Sequence, residues 1–526
     1  MSASEKDAYI QLLEKQNSEL LKQVASLSRQ VENLTEMILQ MRRDKFGSSS
    51  EKTPKEDIGE QISMNQVFNE VELHADETVP EPCKITAQGK VRAKSKGPRK
   101  EILLKDIPVR EVECKLSGET LLCPRCGTKL KPIGKTVVRE EIEYIPAQIK
   151  LVKYVRYSYE CPKCKHTDHP CIVKAGVPKS VLSHSLASAS SVANVIYEKY
   201  VNAQPLYRQE KEWERLGIDL SRATMANWVI RCAEDYFTPI FEKLKSELLS
   251  RDIVHCDETP VQVLKEDGKK PQTKSYMWLY CSGNDEKPHI ALYDYKPSRS
   301  GENAANFLEN FSGYVHSDGY SGYNRLKNIT RCGCWAHLRR KFVEAIPDKK
   351  STSVLTNAEI GRDYCNKLFA IESELAQLTA QERYMKRLEL ERPILDEFWS
   401  WLNSVQPLQG SAFGRAVTYA QNQKPYMENY LLDGRLNISN NPAENAIRPF
   451  TVGRKNWLFS DTPKGADASA KIYSLVETAK TNGLDVYRYF YFILANMPSA
   501  DWMRRPEQVD LFLPWSDEAQ ARCKAE

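Results

Sequence analysis

The stretch Arg251–Val263, Arg-Asp-Ile-Val-His-Cys-Asp-Glu-Thr-Pro-Val-Gln-Val, constrains the fold of this chain more than any other. Ile253 and Val254 open an apolar run that reads as a buried strand, and the run ends on two carboxylates, Asp257 and Glu258. An acid at the end of a core strand is costly unless something pairs with it, and a divalent cation is one such partner. The same design repeats at Gly313–Tyr320: an apolar strand, then His316, Asp318 and Gly319. A third acid, Glu444, lies in Ile438-Ser-Asn-Asn-Pro-Ala-Glu-Asn-Ala-Ile447, which reads as a helix start. Two strand-end aspartates and one helical glutamate form a set that can hold two Mg²⁺ ions for phosphodiester chemistry.

Each acid also has a plainer reading. Asp257 could be a solvated strand-end acid; strand alternation puts Glu258 on the opposite face, so only one of the pair points into a site. Asp318-Gly319 is a turn signal in its own right. With Asn441 as N-cap and Pro442 at N1, Glu444 falls at N3, where a glutamate comes close to a capping box. His255 and His316 precede their aspartates by two and share their strand face, so they read as supporting or packing residues rather than ligands.

The rest of the chain divides around this core. Residues 1–45 carry heptads, with Leu13, Leu20, Leu27, Leu34 and Met41 at one core position and Ile10, Asn17, Val24, Val31 and Ile38 at the other. This predicts a parallel leucine-zipper coiled coil and a homodimer or higher assembly, with Asn17 fixing register; the plainer alternative is an amphipathic helix packed on its own domain. Residues 46–100 read as a flexible linker ending in a basic arm, since Lys84–Lys100 holds seven basic residues and no acid. In residues 101–178, Cys123-Pro-Arg-Cys126 and Cys161-Pro-Lys-Cys164 form two knuckles that together complete a tetrahedral Zn²⁺ site, with strands expected over 137–144 and 149–159 between them. Redox dithiols, or His166, His169 or Cys171 replacing one cysteine, are the alternatives. Residues 179–250 read as helical and resemble a helix-turn-helix: a helix over 206–216, a Gly217 turn, and a helix over 221–234 capped by Ser221, offering Arg222, Asn227 and Arg231 to DNA. A plain helical hairpin fits equally well.

Residues 251–348 read as three strands followed by strand–helix alternation, which predicts a mixed α/β sheet of ribonuclease-H type. On the helix that ends this part, His337, Arg339, Arg340 and Lys341 lie off an apolar stripe, where they could meet phosphate. Residues 349–432 read as an all-helical insertion of three helices, with Pro393 breaking one. Residues 433–480 resume the core, where Arg454 and Lys455 are further DNA-contact candidates, and 481–526 form a C-terminal element with a tail from Asp501. The net charge of +5 is too small to show a nucleic-acid partner by itself. No apolar run approaches the ~18 residues of a membrane span, and no secretory h-region follows the polar start, so a cytoplasmic protein with no membrane partner is expected.

Assembled, these motifs resemble the bacterial transposases of the insertion sequence 66 family. The resemblance rests on Cys256-Asp-Glu-Thr-Pro-Val261, Asp318-Gly-Tyr-Ser-Gly-Tyr323, Cys334-Trp-Ala-His337 and Asn441-Pro-Ala-Glu-Asn-Ala-Ile-Arg-Pro449 running into Gly453-Arg-Lys-Asn-Trp457. It implies that Asp257, Asp318 and Glu444 are a DDE triad binding two Mg²⁺ ions, with Mn²⁺ able to substitute. It also implies terminal inverted repeats and target DNA as substrates, and small accessory proteins of the same element as partners. The rival expectations are a DNA-binding regulator with an inactive core, and a metal-dependent nuclease that cuts without joining.

Overall fold

The computed structural model describes residues 15–20, 23, 149–160, 172–174, 176–347 and 355–525. The chain splits into two compact units, one of residues 53–177 with 526 and one of residues 1–52 with 178–525. In the first unit, β1 (Ser158–Glu160) pairs antiparallel with β2 (Ile172–Lys174). The long strand expected over 149–159 is realised only at β1, and Leu151, Val152, Tyr154 and Val155 before it lie exposed. The four paired cysteines and the expected strand over 137–144 lie outside the described residues, as does the linker. Of the heptad stretch, residues 15–20 are helical and exposed, and almost all the rest lies outside the described residues.

The second unit begins with helices α1 (Ala189–Tyr200), α2 (Leu206–Arg215), α3 (Arg222–Cys232) and α4 (Thr238–Leu249). The α2–α3 hairpin forms for the reasons legible in its residues. Gly217 takes the left-handed conformation that the turn requires, at φ +84°. Ser221 caps α3 by accepting the Thr224 N–H.

A five-stranded sheet follows, in the order β5 (Ala291–Lys296), β4 (Lys274–Ser282), β3 (Ile253–Gln262), β6 (Gly313–His316) and β7 (Ile329–Cys332). β3, β4 and β5 form an antiparallel meander, while β6 and β7 run parallel to β3. The crossover between β5 and β6 carries α5 (Gly301–Phe307), and β7 leads into α6 (Trp335–Ala345).

Both sheet edges are covered, which removes the unpaired backbone groups that invite other chains. On the β5 side, Ser474 and Thr478 of α11 (Pro463–Thr481) accept the N–H groups of Tyr293 and Ala291. On the β7 side, Asn429 donates to the Arg331 carbonyl.

The helical insertion is α7 (Asn357–Leu375), α8 (Ala380–Ser404) and α9 (Ala412–Met427). Its apolar side chains join Trp335, Leu338 and Phe342 of α6 in a core distinct from the one under the rest of the sheet. Contrary to expectation, Pro393 does not break α8, which runs on through it. A mid-helix proline costs about 3 kcal/mol, but Leu395, Phe398, Trp399 and Leu402 beyond it are buried in this second core and carry the helix on. After the insertion come α10 (Asn441–Trp457), α11 and α12 (Val486–Asn496). The segment expected to be a tail folds back: Val509, Phe512, Leu513 and Cys523 are buried, the last at the end of α13 (Asp517–Cys523). No helix among the described residues is long and apolar enough to cross a membrane.

Candidate active site

β3 continues past Asp257 to Gln262, so this acid sits in the middle of its strand and not at its end. The neighbour ends instead. The last shared rung of β3 and β6 is His255–His316, and Asp257 and Asp318 each stand two residues beyond it. Adjacent strands lie about 5 Å apart, so the register alone delivers both aspartates to one place. The two histidines stack beneath them, ring centroids 4.3 Å apart and planes 11° from parallel. Burial holds the His255 imidazole down to about 4 and pushes His316 well below its usual range, which favours the neutral form of both.

Asp318 is held by its own turn and by the insertion. Its Oδ1 accepts the Tyr320 N–H at 2.9 Å. The buried Arg331 guanidinium donates to the Asp318 carbonyl and to Ser317 Oγ (2.9 Å). Gln423 and Tyr426 of α9 contact the same guanidinium, Gln423 as an acceptor at 3.3 Å and Tyr426 with its ring centroid 4.4 Å away. A Cβ on Gly319 would meet the Tyr419 ring at 2.5 Å, so the turn packs against α9 only because residue 319 is glycine.

Glu444 is not at a capping-box position. The N-cap is Asn440, without a side-chain cap, which makes Asn441 the first helical residue and Glu444 the fourth. The Asn440 side chain is used elsewhere. Its Nδ2 donates to the Cys256 carbonyl (2.8 Å), its Oδ1 lies 3.0 Å from His255 Nδ1, and its backbone N–H donates to Cys334 Sγ (3.2 Å). One buried asparagine therefore ties together the strand bearing Asp257, the start of α6 and the start of the helix bearing Glu444.

From α6, Arg340 Nη2 reaches Glu444 Oε2 at 3.3 Å, and His337 Nδ1 lies 3.5 Å from Glu444 Oε1. His337 Nδ1 and Glu444 Oε1 are both buried and make no hydrogen bond. Donor atoms of Cys334, His337 and Glu444 lie within 4.8 Å of one another.

The electrostatics converge on Asp257. Burial first, then the charges of Glu258, Asp318 and Glu444, push its carboxyl well above the usual carboxylate range, against a single 2.8 Å bond from the Glu258 N–H. Three elements thus press negative charge onto one buried group. Orphaned donor atoms and mutually repelling carboxylates fit a divalent cation.

Glu258, on the opposite face of β3 by strand alternation, has partners of its own. Its side chain is 1% exposed and accepts from Tyr323 Oη (2.6 Å) and from Arg299 Nε (2.8 Å) and Nη2 (2.6 Å).

Of the cationic candidates, the fold brings His337 and Arg340 to the acids. Arg339 is taken by Asn366 of α7 (2.7 Å), and Arg454 donates to Thr259 Oγ1 (3.2 Å) and the Pro260 carbonyl. Lys455 is exposed, and Arg222, Asn227 and Arg231 are exposed on α3. Asn440, Arg331 and Arg299 escaped the sequence reading. Only the double asparagine at 440–441 hinted at the first, and nothing local marks the other two.

A mixed α/β sheet with Asp257 within its central strand, Asp318 two residues past the end of the neighbouring strand and Glu444 in the first turn of a helix is the class of protein that these elements define. The chain belongs to the transposase IS66 family, whose model matches residues 184–468, more than half of its length and all three acids. Residues 120–165, which include all four paired cysteines, match the zinc-finger binding domain of transposase IS66. Residues 474–515 match the IS66 C-terminal element, and residues 33–112 match a model described as transposase C of IS166 homeodomain. That last match overlaps the final heptads and the basic arm, and it brings a leucine-zipper-like domain to this end of the chain. Two similar proteins come from Sinorhizobium fredii (strain NBRC 101917 / NGR234). One, uncharacterized protein y4qI, is 26% identical over 93% of this chain and 90% of its own length. Another, uncharacterized protein y4jD, is 24% identical over 95% and 97%. The family implies a transposase with DNA as its partner.

Proposed function

We propose that the chain is a DNA transposase whose catalytic centre is Asp257, Asp318 and Glu444. The observation that carries this reading is the convergence of charge on Asp257 from Asp318, brought alongside by the β3–β6 register, and from Glu444, whose Oε1 is buried without a hydrogen bond. Asp257, Asp318 and Glu444 would hold two Mg²⁺ or Mn²⁺ ions, which when bound would supply activation of a water and stabilisation of the leaving 3′ oxygen of a phosphodiester.

The protein's own part is orientation. The β3–β6 register sets the aspartates side by side, and Arg331 and α9 hold the Asp318 turn. Asn440 fixes the start of α10, and Arg340 and His337 bracket Glu444. Rigid placement of this kind removes entropy from the reaction before substrate arrives.

The sheet order, with a central β3 flanked by an antiparallel meander and two parallel strands, supports a ribonuclease-H-like core. The substrates are the terminal inverted repeats of an insertion element and then target DNA, to which the freed 3′-OH is joined. Cys123, Cys126, Cys161 and Cys164 hold one structural Zn²⁺ in a domain that helps bind the ends, and the heptads pair two protomers.

The test is a two-stage assay with purified protein and DNA carrying the sequences that flank the gene. Wild type should nick the ends with Mg²⁺ and join pre-cut ends to a target plasmid. Asp257→Asn and Asp318→Asn should do neither while binding the same DNA. Cleavage without joining of pre-cut ends would leave only a nuclease, and metal-independent binding without either step would leave a regulator.

A further inference from the structure

Arg299, at the rim of the acid cluster, is built as a receptor. We propose that Arg299 binds a backbone phosphate of the DNA strand held at the carboxylates; this rests on the transposase reading above.

A buried acid anchors Arg299 in position. The Glu258 side chain is 1% exposed, one residue from Asp257. A second acid there opposes the site unless it has a task. Its carboxylate goes to the Tyr323 hydroxyl and to two N–H groups of Arg299.

Arg299 is also held rigidly. The Arg299 guanidinium lies 4.2 Å from the Tyr320 ring centroid and 6.0 Å from that of Tyr276. The Tyr320 hydroxyl donates to the Arg299 carbonyl, and the Tyr320 N–H donates to Asp318 Oδ1, so one tyrosine joins the arginine to a catalytic acid. The loop that follows is pinned as well, because a Cβ on Gly301 would meet the Gly322 carbonyl oxygen at 2.3 Å.

Part of the guanidinium remains free. A guanidinium has five N–H donors, and two are bound to Glu258, which leaves three with no acceptor among the described residues. The side chain is 44% exposed. An ion pair that served only to neutralise Glu258 would be buried with it. Here the anchor is buried and the cation is presented. A fixed planar fork beside a carboxylate cluster suits a phosphate, and it offsets the repulsion that the acids exert on the DNA backbone. Tyr320 ties the Arg299 backbone to the Asp318 carboxylate, so a phosphate on this fork belongs to the strand that enters the site.

The experiment measures binding of the full chain to a fluorescent duplex of the DNA flanking the gene, in Ca²⁺, across a salt series. Neutralising one phosphate contact lowers the slope of log K against log salt by about 0.9. Arg299→Gln, which keeps a donor for Glu258, should lower the slope by that amount and weaken binding on the order of tenfold. Arg299→Lys should keep the slope. A merely structural arginine leaves the slope unchanged however far Tm falls, and that result would overturn the assignment.

A scan of methylphosphonates along the scissile strand needs no variant. Wild type should lose the same slope at one phosphate beside the cleavage point, and a flat scan would also overturn the proposal. If wild type binds the duplex but fails to cut it in Mg²⁺, the transposase reading fails instead.

Discussion

Asn440 and Asn441 are adjacent asparagines with opposite roles. Asn441 is exposed at the first turn of α10, whereas Asn440 is 1% exposed and bonded to Cys256, His255 and Cys334. Removing one partner of a buried hydrogen bond costs about 1–3 kcal/mol. Asn440→Ala should therefore lower Tm by several degrees and slow end cleavage, because Glu444 loses its tether to β3. Asn441→Ala should change neither, and differential scanning calorimetry with a cleavage assay reads both. The three candidate acids were legible because each sits in a local pattern of apolar strand or helix start. The residues that aim them were not. Asn440 acts on a carbonyl 184 positions away, and Arg331 is shared with Gln423, 92 positions on. The capping-box reading of Glu444 failed by one residue, the usual uncertainty of a helix boundary.

At the scale of elements, the strands and helices of the core fell where periodicity placed them, and the misses have physical causes. Pro393 signals a helix break, but the signal is blind to the buried row that carries α8 through it. The insertion also proves to be a buttress for the Asp318 turn, a long-range role that no local pattern encodes. Its attachment to the segment before α10 depends on pH. The buried Arg387 forks onto Glu372 (2.6 and 2.7 Å) and donates to the carbonyls of Tyr430 and Leu436. Beside it, Glu391 accepts from the Tyr430 hydroxyl, and burial, reinforced by the charge of Glu372, raises its carboxyl to about 8. The folded state therefore holds this proton more tightly than the unfolded chain, whose glutamates titrate near 4.3. The stabilisation is complete below that value and is lost as pH rises through about 8. Glu391→Gln keeps the neutral form at every pH, so its Tm should fall less than that of wild type between pH 5 and 8. Parallel curves would show that Glu391 is not the group responsible.

For the whole molecule, the family models set a zinc-finger binding domain before the matched transposase region and the IS66 C-terminal element after it. The cysteine domain is the part whose chemistry is most easily isolated. Purified protein should carry about one Zn²⁺ per chain. Cys126→Ser combined with Cys164→Ser should lose the metal and the preference for end DNA, as read by metal analysis and competition binding. Protein free of zinc after purification without chelator would refute the site.

The account turns on whether Glu444 is a ligand or a structural residue, and one substitution decides it. Glu444→Gln keeps the shape and the position in the first turn of α10, and removes a charge that is 28% exposed and paired to Arg340. The measurement is Mg²⁺-dependent cleavage of end DNA by this variant beside wild type, with Tm and DNA affinity recorded for both. If the three acids hold the metal, cleavage vanishes while Tm and affinity stay close to wild type. Cleavage at the wild-type rate would contradict the account and remove Glu444 from the catalytic centre.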